Sequence, residues 1–145
     1  MNLQEYLDKA FLIARQINTK QEHLRELNEL KNSVPISKYK EKQDITSFLN
    51  SNVENILVNI ESIEQNLVKE IEVLLIHKVN IIKIIGMLEE EHLHLVFEER
   101  FLCYKKWEII ADELFYSLRH VFRLYKQGLQ KLNAKDEVIE ILNKL

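Results

Sequence analysis

The sequence predicts an all-α protein, in which a long N-terminal helical hairpin or coiled-coil arm precedes a small helix-turn-helix module. Only two glycines and one proline occur in 145 residues, so the chain has little material for tight hairpin turns or glycine-rich loops. Apolar residues make up 46% and charged residues 30% of the chain, which favours folded helices with solvated faces over disorder. Apolar side chains recur every three or four residues, which is the period of an amphipathic helix.

Residues 1–86 are expected to form the arm, as two long helices joined by a loop near residues 32–44. The first helix is predicted from about Leu3 to Lys31, with polar residues 18–21 bending or interrupting it. The loop contains the only proline, Pro35, among serines and charged residues.

The second arm helix is predicted to begin near Asp44 or Asn52 and to reach Gly86. The spacings between its apolar residues are mostly three and four in alternation, as in a coiled coil, and Lys78 occupies one position of this apolar seam. Two antiparallel helices or a homodimer would satisfy this pattern. The predicted seam comprises Ile60, Ile63, Leu67, Ile71, Leu74, Ile81, Ile85 and Leu88.

Shorter helices are expected after residue 86. Residues 87–135 form the predicted helix-turn-helix module, with helices around Glu90–Leu102, Trp107–Leu114 and Ser117–Asn133. Residues 136–145 repeat apolar side chains at helical spacing and are expected to add a short helical tail.

The last two helices of the module carry apolar residues on the faces that would meet. Ala111 is small enough for a close helix crossing, and the hydroxyl of Ser117 is well placed to accept a backbone N–H at the start of the second helix. The predicted core of the pair is Trp107, Ile110, Ala111, Leu114, Val121 and Leu124.

Charge is distributed unevenly along the chain, although the net charge is only −3. Residues 53–99 contain ten acidic and three basic side chains, whereas residues 100–135 contain eight basic and three acidic ones. A basic C-terminal module can approach phosphate groups locally while the acidic remainder of the chain limits non-specific binding.

The outer face of the last module helix is rich in hydrogen-bond donors. Arg119 and Arg123 are candidates to bind guanine O6 and N7 bidentately. Four lysines are candidates for contacts to DNA phosphates, namely Lys105, Lys106, Lys126 and Lys131.

The stretches Trp107-Glu108-Ile109-Ile110-Ala111-Asp112-Glu113-Leu114-Phe115-Tyr116-Ser117 and Arg119-His120-Val121-Phe122-Arg123-Leu124 resemble region 4 of bacterial sigma factors. Residues 10–30 and the long helix leading into Arg100-Phe101-Leu102 resemble a family of phage and prophage proteins of Gram-positive bacteria. Members of that family pair a helical arm with a sigma region 4-like domain, and similar proteins of the ArpU type are regarded as late transcription regulators.

The resemblance implies that the base-reading positions fall on Arg119, His120 and Arg123. Two residues depart from the sigma pattern. Arg119 stands where an acidic residue is common, so the promoter element of sigma factors is not carried over. Phe115 stands where glycine is usual, and a positive φ there would strain a phenylalanine by about 1 kcal/mol or more.

The sequence therefore predicts a sequence-specific regulator that binds double-stranded DNA, with host RNA polymerase as a further partner and homodimerisation through the arm. The alternative is a coiled-coil adaptor that binds RNA polymerase or another protein without contacting DNA. Two half-sites about one helical turn apart, or a multiple of it, would suit the dimer.

Enzymatic, metal-binding and membrane functions have little support in the sequence. No nucleophile elbow or phosphate loop occurs, and no cofactor is expected. Glu91 and His94 have the spacing of one half of a di-iron motif, but none of the histidines elsewhere in the chain, His23, His77 and His120, has a glutamate three residues before it. No apolar run reaches the roughly 18 residues that span a bilayer, so the protein is expected to be cytoplasmic.

Overall fold

A computed structural model of the chain describes the backbone of residues 1–33 and 43–145, and the side chains of residues 1–33 and 52–145. These residues form helices without strands, which confirms the predicted all-α class. The helices are α1 (Leu3–Asp8), α2 (Ala10–Ser33), α3 (Gln43–Gly86), α4 (Glu91–Phe101), α5 (Trp107–Leu114), α6 (Leu118–Asn133) and α7 (Asp136–Asn143).

The predicted loop near residues 32–44 lies largely outside the described residues. Asn32 and Ser33 still belong to α2, and α3 has begun by Gln43. Pro35 falls in the part of the chain for which no structure is described.

The predicted first helix is divided, but not where the sequence suggested. The division lies at Lys9, whose N–H donates to Tyr6 O at 3.2 Å in a tight turn of the 3₁₀ type. Residues 18–21, which were expected to bend or interrupt the helix, are helical within α2. At the start of α1, Asn2 and Glu5 form a reciprocal capping box, in which Asn2 Oδ1 accepts the N–H of Glu5 at 2.8 Å.

The chain divides into two compact units, residues 1–15 with 75–145, and residues 16–74. This grouping differs from the predicted boundary at residue 86. Both α1 and the end of α3 bury apolar side chains within the first unit, among them Tyr6, which is 2% exposed. The Tyr6 hydroxyl also donates to His77 O at 3.3 Å and lies 3.0 Å from His77 Nδ1.

The unit of residues 16–74 is built from parts of α2 and α3. Lys20 pairs with Glu70 at 2.5 Å and Lys31 with Glu61 at 3.8 Å. Because the residue number falls along α3 as it rises along α2, the two helices run antiparallel. This is one of the two arrangements that the predicted seam would satisfy.

One position of the predicted seam is wrong. Ile63 is 47% exposed, whereas Glu64 is half-buried between the buried residues Ile60 and Ile71. The spacing of four, three and four residues through Ile60, Glu64, Leu67 and Ile71 keeps one face toward α2, and Ile63 falls one position outside it. Lys31 Nζ lies 4.0 Å from Glu64 Oε2, so a charged residue occupies the seam beside a partner.

The first unit is organised around α6, which packs against α1, α4, α5 and α7. Its core combines aliphatic and aromatic side chains from all of these helices. The buried residues on α4 to α7 are Leu93, Val96, Phe97, Phe101, Ile110, Ala111, Val121, Leu124, Gly128, Leu132 and Val138. Among the described residues, no helix is both long and apolar enough to cross a membrane.

Candidate nucleic-acid interface

The segment predicted to be a helix-turn-helix consists of α5 and α6 joined by a three-residue turn. The turn consists of Phe115, Tyr116 and Ser117. The hydroxyl of Ser117 accepts the backbone N–H of His120 at 3.1 Å, which confirms Ser117 as the N-cap of α6. This cap fixes the residue at which α6 begins.

The predicted core of the α5–α6 pair is buried at its centre and accessible at its edge. Val121 is fully buried, and Trp107 and Leu114 are only half-buried. Ala111 lies in the packed region, as expected for a small residue where two helices cross. The fully or nearly fully buried members are Ile110, Ala111, Val121 and Leu124.

Trp107 organises the edge of this core. Its ring lies 4.9 Å from that of Tyr125 and 5.5 Å, edge to face, from that of Phe122. The guanidinium of Arg100 stacks over the indole at 4.8 Å and also donates to Lys105 O at 3.0 Å. Arg100 is therefore occupied in joining α4 to the start of α5.

The turn after α5 has a left-handed backbone at Phe115. Phe115 has φ 58° and ψ 35°, and Tyr116 N–H donates to Ala111 O at 2.9 Å. That six-to-one hydrogen bond is typical of a Schellman helix ending, which requires a left-handed residue. Phe115 accordingly carries a strain of about 1–2 kcal/mol, and its side chain is 95% exposed.

On the side of α6 that faces α4, the two helices approach each other closely. A Cβ atom at Gly128 would overlap the ring of Phe97, which is fully buried. Glycine at 128 is thus required by packing, since no glycine in the described residues has a positive φ.

The outer face of α6 carries one continuous polar stripe. Arg119, Arg123, Lys126 and Gln130 are all exposed, and their spacing of four, three and four residues places them on one side of the helix. Gln130 was not among the predicted site residues, although its helical spacing from Lys126 would have identified it. No acidic residue occurs in α6.

His120 lies beside this stripe and contacts one of its members. Arg123 Nη2 donates to His120 Nδ1 at 2.5 Å. The imidazole also meets the Tyr116 ring edge to face at 4.7 Å. The structure therefore brings His120 and Arg123 together and restricts the orientation of the guanidinium.

The four predicted phosphate-contacting lysines are in different surroundings. Lys105 Nζ pairs with Glu113 at 2.7 Å and with Glu99 at 2.5 Å, and these carboxylates raise the pKa of Lys105 above its ordinary value. Lys131 pairs with Glu90. Lys106 and Lys126 are exposed and have no ion pair with the described residues.

The residues considered for metal binding form a different arrangement. His94 Nε2 lies 2.6 Å from Glu98 Oε1 in the next turn of α4. Within the described ranges, no three His, Cys, Asp or Glu side chains are grouped closely enough to hold a metal ion.

Comparison with known proteins gives no significant match, whether with family models, with curated proteins or with solved structures.

Proposed function

We propose that this protein is a sequence-specific transcription regulator that binds double-stranded DNA through α6. The observation that carries the proposal is the exposed stripe of Arg119, Arg123, Lys126 and Gln130 on a helix without acidic residues. A helix of this kind fits the major groove of B-DNA, and its first turns reach the base edges.

The proposal assigns a role to each of four polar side chains of α6. Arg119 and Arg123 read guanine through O6 and N7. His120 is a third base-contacting residue and also orients Arg123 through the hydrogen bond to Nδ1. Gln130 and Lys126 lie further along the stripe, where Lys126 contacts a phosphate.

The ion pairs on α4 and α5 divide the lysines into two groups. Lys106 and Lys126 are available to phosphate without breaking an existing pair. Lys105 and Lys131 would have to leave Glu99, Glu113 or Glu90 first. We therefore assign the larger share of the salt-dependent affinity to Lys106 and Lys126.

The resemblance to phage and prophage regulators with a sigma region 4-like domain supports a role in transcription, with host RNA polymerase as a partner. Homodimerisation through the helical arm is part of the same proposal, because two recognition helices could then occupy two half-sites. The adaptor alternative assigns α6 no contact with DNA.

Selection of bound sequences from random duplex DNA, with the full chain as bait, tests the proposal. The selected duplex is then titrated at several salt concentrations against wild type, Arg119→Ala, Arg123→Ala and the control Arg25→Ala. Arg25 is an exposed residue of the other unit.

We expect an enriched sequence, a steep loss of affinity as salt rises, and a loss of about 5- to 150-fold for each stripe variant, the worth of one bidentate base contact. The control should bind like wild type. No enriched sequence, or equal and salt-insensitive binding of the selected duplex by all four proteins, would favour the adaptor.

A further inference from the structure

The basic stripe of α6 is bordered by two accessible apolar side chains. Leu118 is 37% and Phe122 39% exposed. They lie one helical turn apart, and each directly precedes an arginine of the stripe, Arg119 or Arg123. The first two turns of α6 therefore present an apolar edge beside their guanidinium groups.

This apolar edge is not required by the core of the unit. The buried positions of α6 are Val121, Leu124, Gly128 and Leu132, whereas Leu118 is the first residue of the helix. Phe122 touches Trp107 through an edge-to-face contact at 5.5 Å, which holds its ring in place. Leu118 therefore lies one helical turn from a fixed aromatic ring, at the end of the helix that would enter the groove.

The chemistry of the major groove offers one apolar partner for such an edge. Guanine, adenine and cytosine present hydrogen-bonding atoms there, whereas thymine adds a C5 methyl group. An aliphatic side chain placed among arginines strengthens binding when it covers that methyl group. It weakens binding when it covers a polar base edge that has no other partner.

We infer that Leu118, one helical turn before Phe122, covers a thymine methyl group, so that the recognised sequence has a thymine next to the guanine bound by Arg119 or Arg123. This inference rests on the proposed DNA-binding function and adds a specificity determinant to it. Leu118 discriminates thymine from cytosine at one position without forming any hydrogen bond.

Replacement of thymine by deoxyuridine tests the inference, because it removes only the C5 methyl group. The duplex enriched by selection is resynthesised with deoxyuridine at each thymine position in turn and titrated against wild type, Leu118→Ala and the control Ile109→Ala. Leu118→Ala removes a partly exposed side chain at a helix end, and circular dichroism checks that the helices remain. Ile109 is an accessible apolar residue of α5.

We expect wild type and Ile109→Ala to lose about fourfold in affinity at one thymine, the worth of one buried methyl group. Leu118→Ala should bind the thymine and deoxyuridine duplexes equally. Tight binding of the duplex with no sensitive thymine, or a sensitivity that persists in Leu118→Ala, would overturn the inference and leave DNA binding intact. Failure of every duplex to bind would remove both proposals.

Discussion

Gly128 of α6 lies against the ring of Phe97 of α4, so closely that a methyl group at position 128 would overlap it. Phe97 is fully buried and its ring centroid lies 5.6 Å from those of both Phe101 and Tyr125. The ring therefore has little room to move aside. This contact sets how closely α6 approaches the rest of its unit.

Gly128→Ala should lower the free energy of unfolding by about 1–2 kcal/mol. Overpacking costs about 1–3 kcal/mol, and the better helix propensity of alanine returns up to about 1 kcal/mol. Urea denaturation measures the change. Gly86→Ala is the matched control, because nothing lies within 4 Å of a Cβ atom there; it should be neutral or slightly stabilising. Equal effects of the two substitutions would contradict the close packing.

Phe115→Gly should raise the stability of the protein by about 1 kcal/mol. The substitution relieves the left-handed strain at φ 58° and loses almost no contact, since Phe115 is 95% exposed. Thermal unfolding checks the direction.

Tyr104→Gly provides the contrast for that measurement. Tyr104 also has a positive φ, but its ring meets that of Phe11 edge to face at 5.9 Å. The lost contact offsets the relieved strain, so we expect Tyr104→Gly to raise the stability of the protein little or not at all. A destabilised Phe115→Gly would show that the exposed ring makes a contact in solution.

The sequence was sufficient for the helical class and for most helix positions because apolar periodicity records which face is buried. It wrongly assigned Ile63 to the seam. Ile63 and Glu64 are adjacent, and which of them faces α2 depends on the heptad register, which is set by packing against α2. It also missed the division at Lys9, which depends on one local hydrogen bond rather than on any change in periodicity.

For the candidate interface, residue type and helical spacing identified the outward face and the Ser117 cap, whereas attention to Phe115 came only from the resemblance to sigma factor region 4. The pairings of Lys105 with Glu99 and Glu113, and of Lys131 with Glu90, were not predictable, because they join residues from different helices or turns. A lysine in a basic segment is available to phosphate only if the fold leaves it without a carboxylate neighbour.

Alkaline pH should destabilise the fold through its tyrosines. Burial raises the pKa values of Tyr6 and Tyr125 above 10, and the carboxylate of Asp8 raises that of Tyr125 further. The unfolded chain therefore releases these protons first, so the stabilisation is present below pH 10 and is lost as pH rises through the folded-state pKa values.

Urea midpoints between pH 8 and pH 11 measure this effect. Tyr6→Phe should be less stable than wild type at pH 8, since it lacks the hydrogen bond to His77 O, but should lose less stability as pH rises. Tyr116→Phe, at an exposed position, should follow wild type. If the urea midpoints of wild type and Tyr6→Phe fell in parallel as pH rises, ionisation of Tyr6 would be excluded as a cause of the alkaline destabilisation.

The predicted homodimer should depend on α3. Leu75, Val79 and Ile82 are exposed, and their spacing of four and three residues makes half of a coiled-coil seam that a second copy of α3 would complete. Val79→Glu should therefore shift sedimentation equilibrium toward the monomer. Val58→Glu, at another exposed position of α3, should sediment like wild type. A wild-type chain that stays monomeric at micromolar concentration would contradict the dimer.

The salt dependence of binding to the selected duplex tests the central claim most directly, by comparing wild type with Lys126→Gln and Lys69→Gln. Lys126 lies on the stripe of α6, and Lys69 is an exposed residue of α3 in the other unit. We expect log affinity to fall linearly with log salt for wild type, with the slope smaller by about one for Lys126→Gln and unchanged for Lys69→Gln. Identical slopes for all three proteins, or an affinity that does not respond to salt, would contradict DNA binding through the outer face of α6.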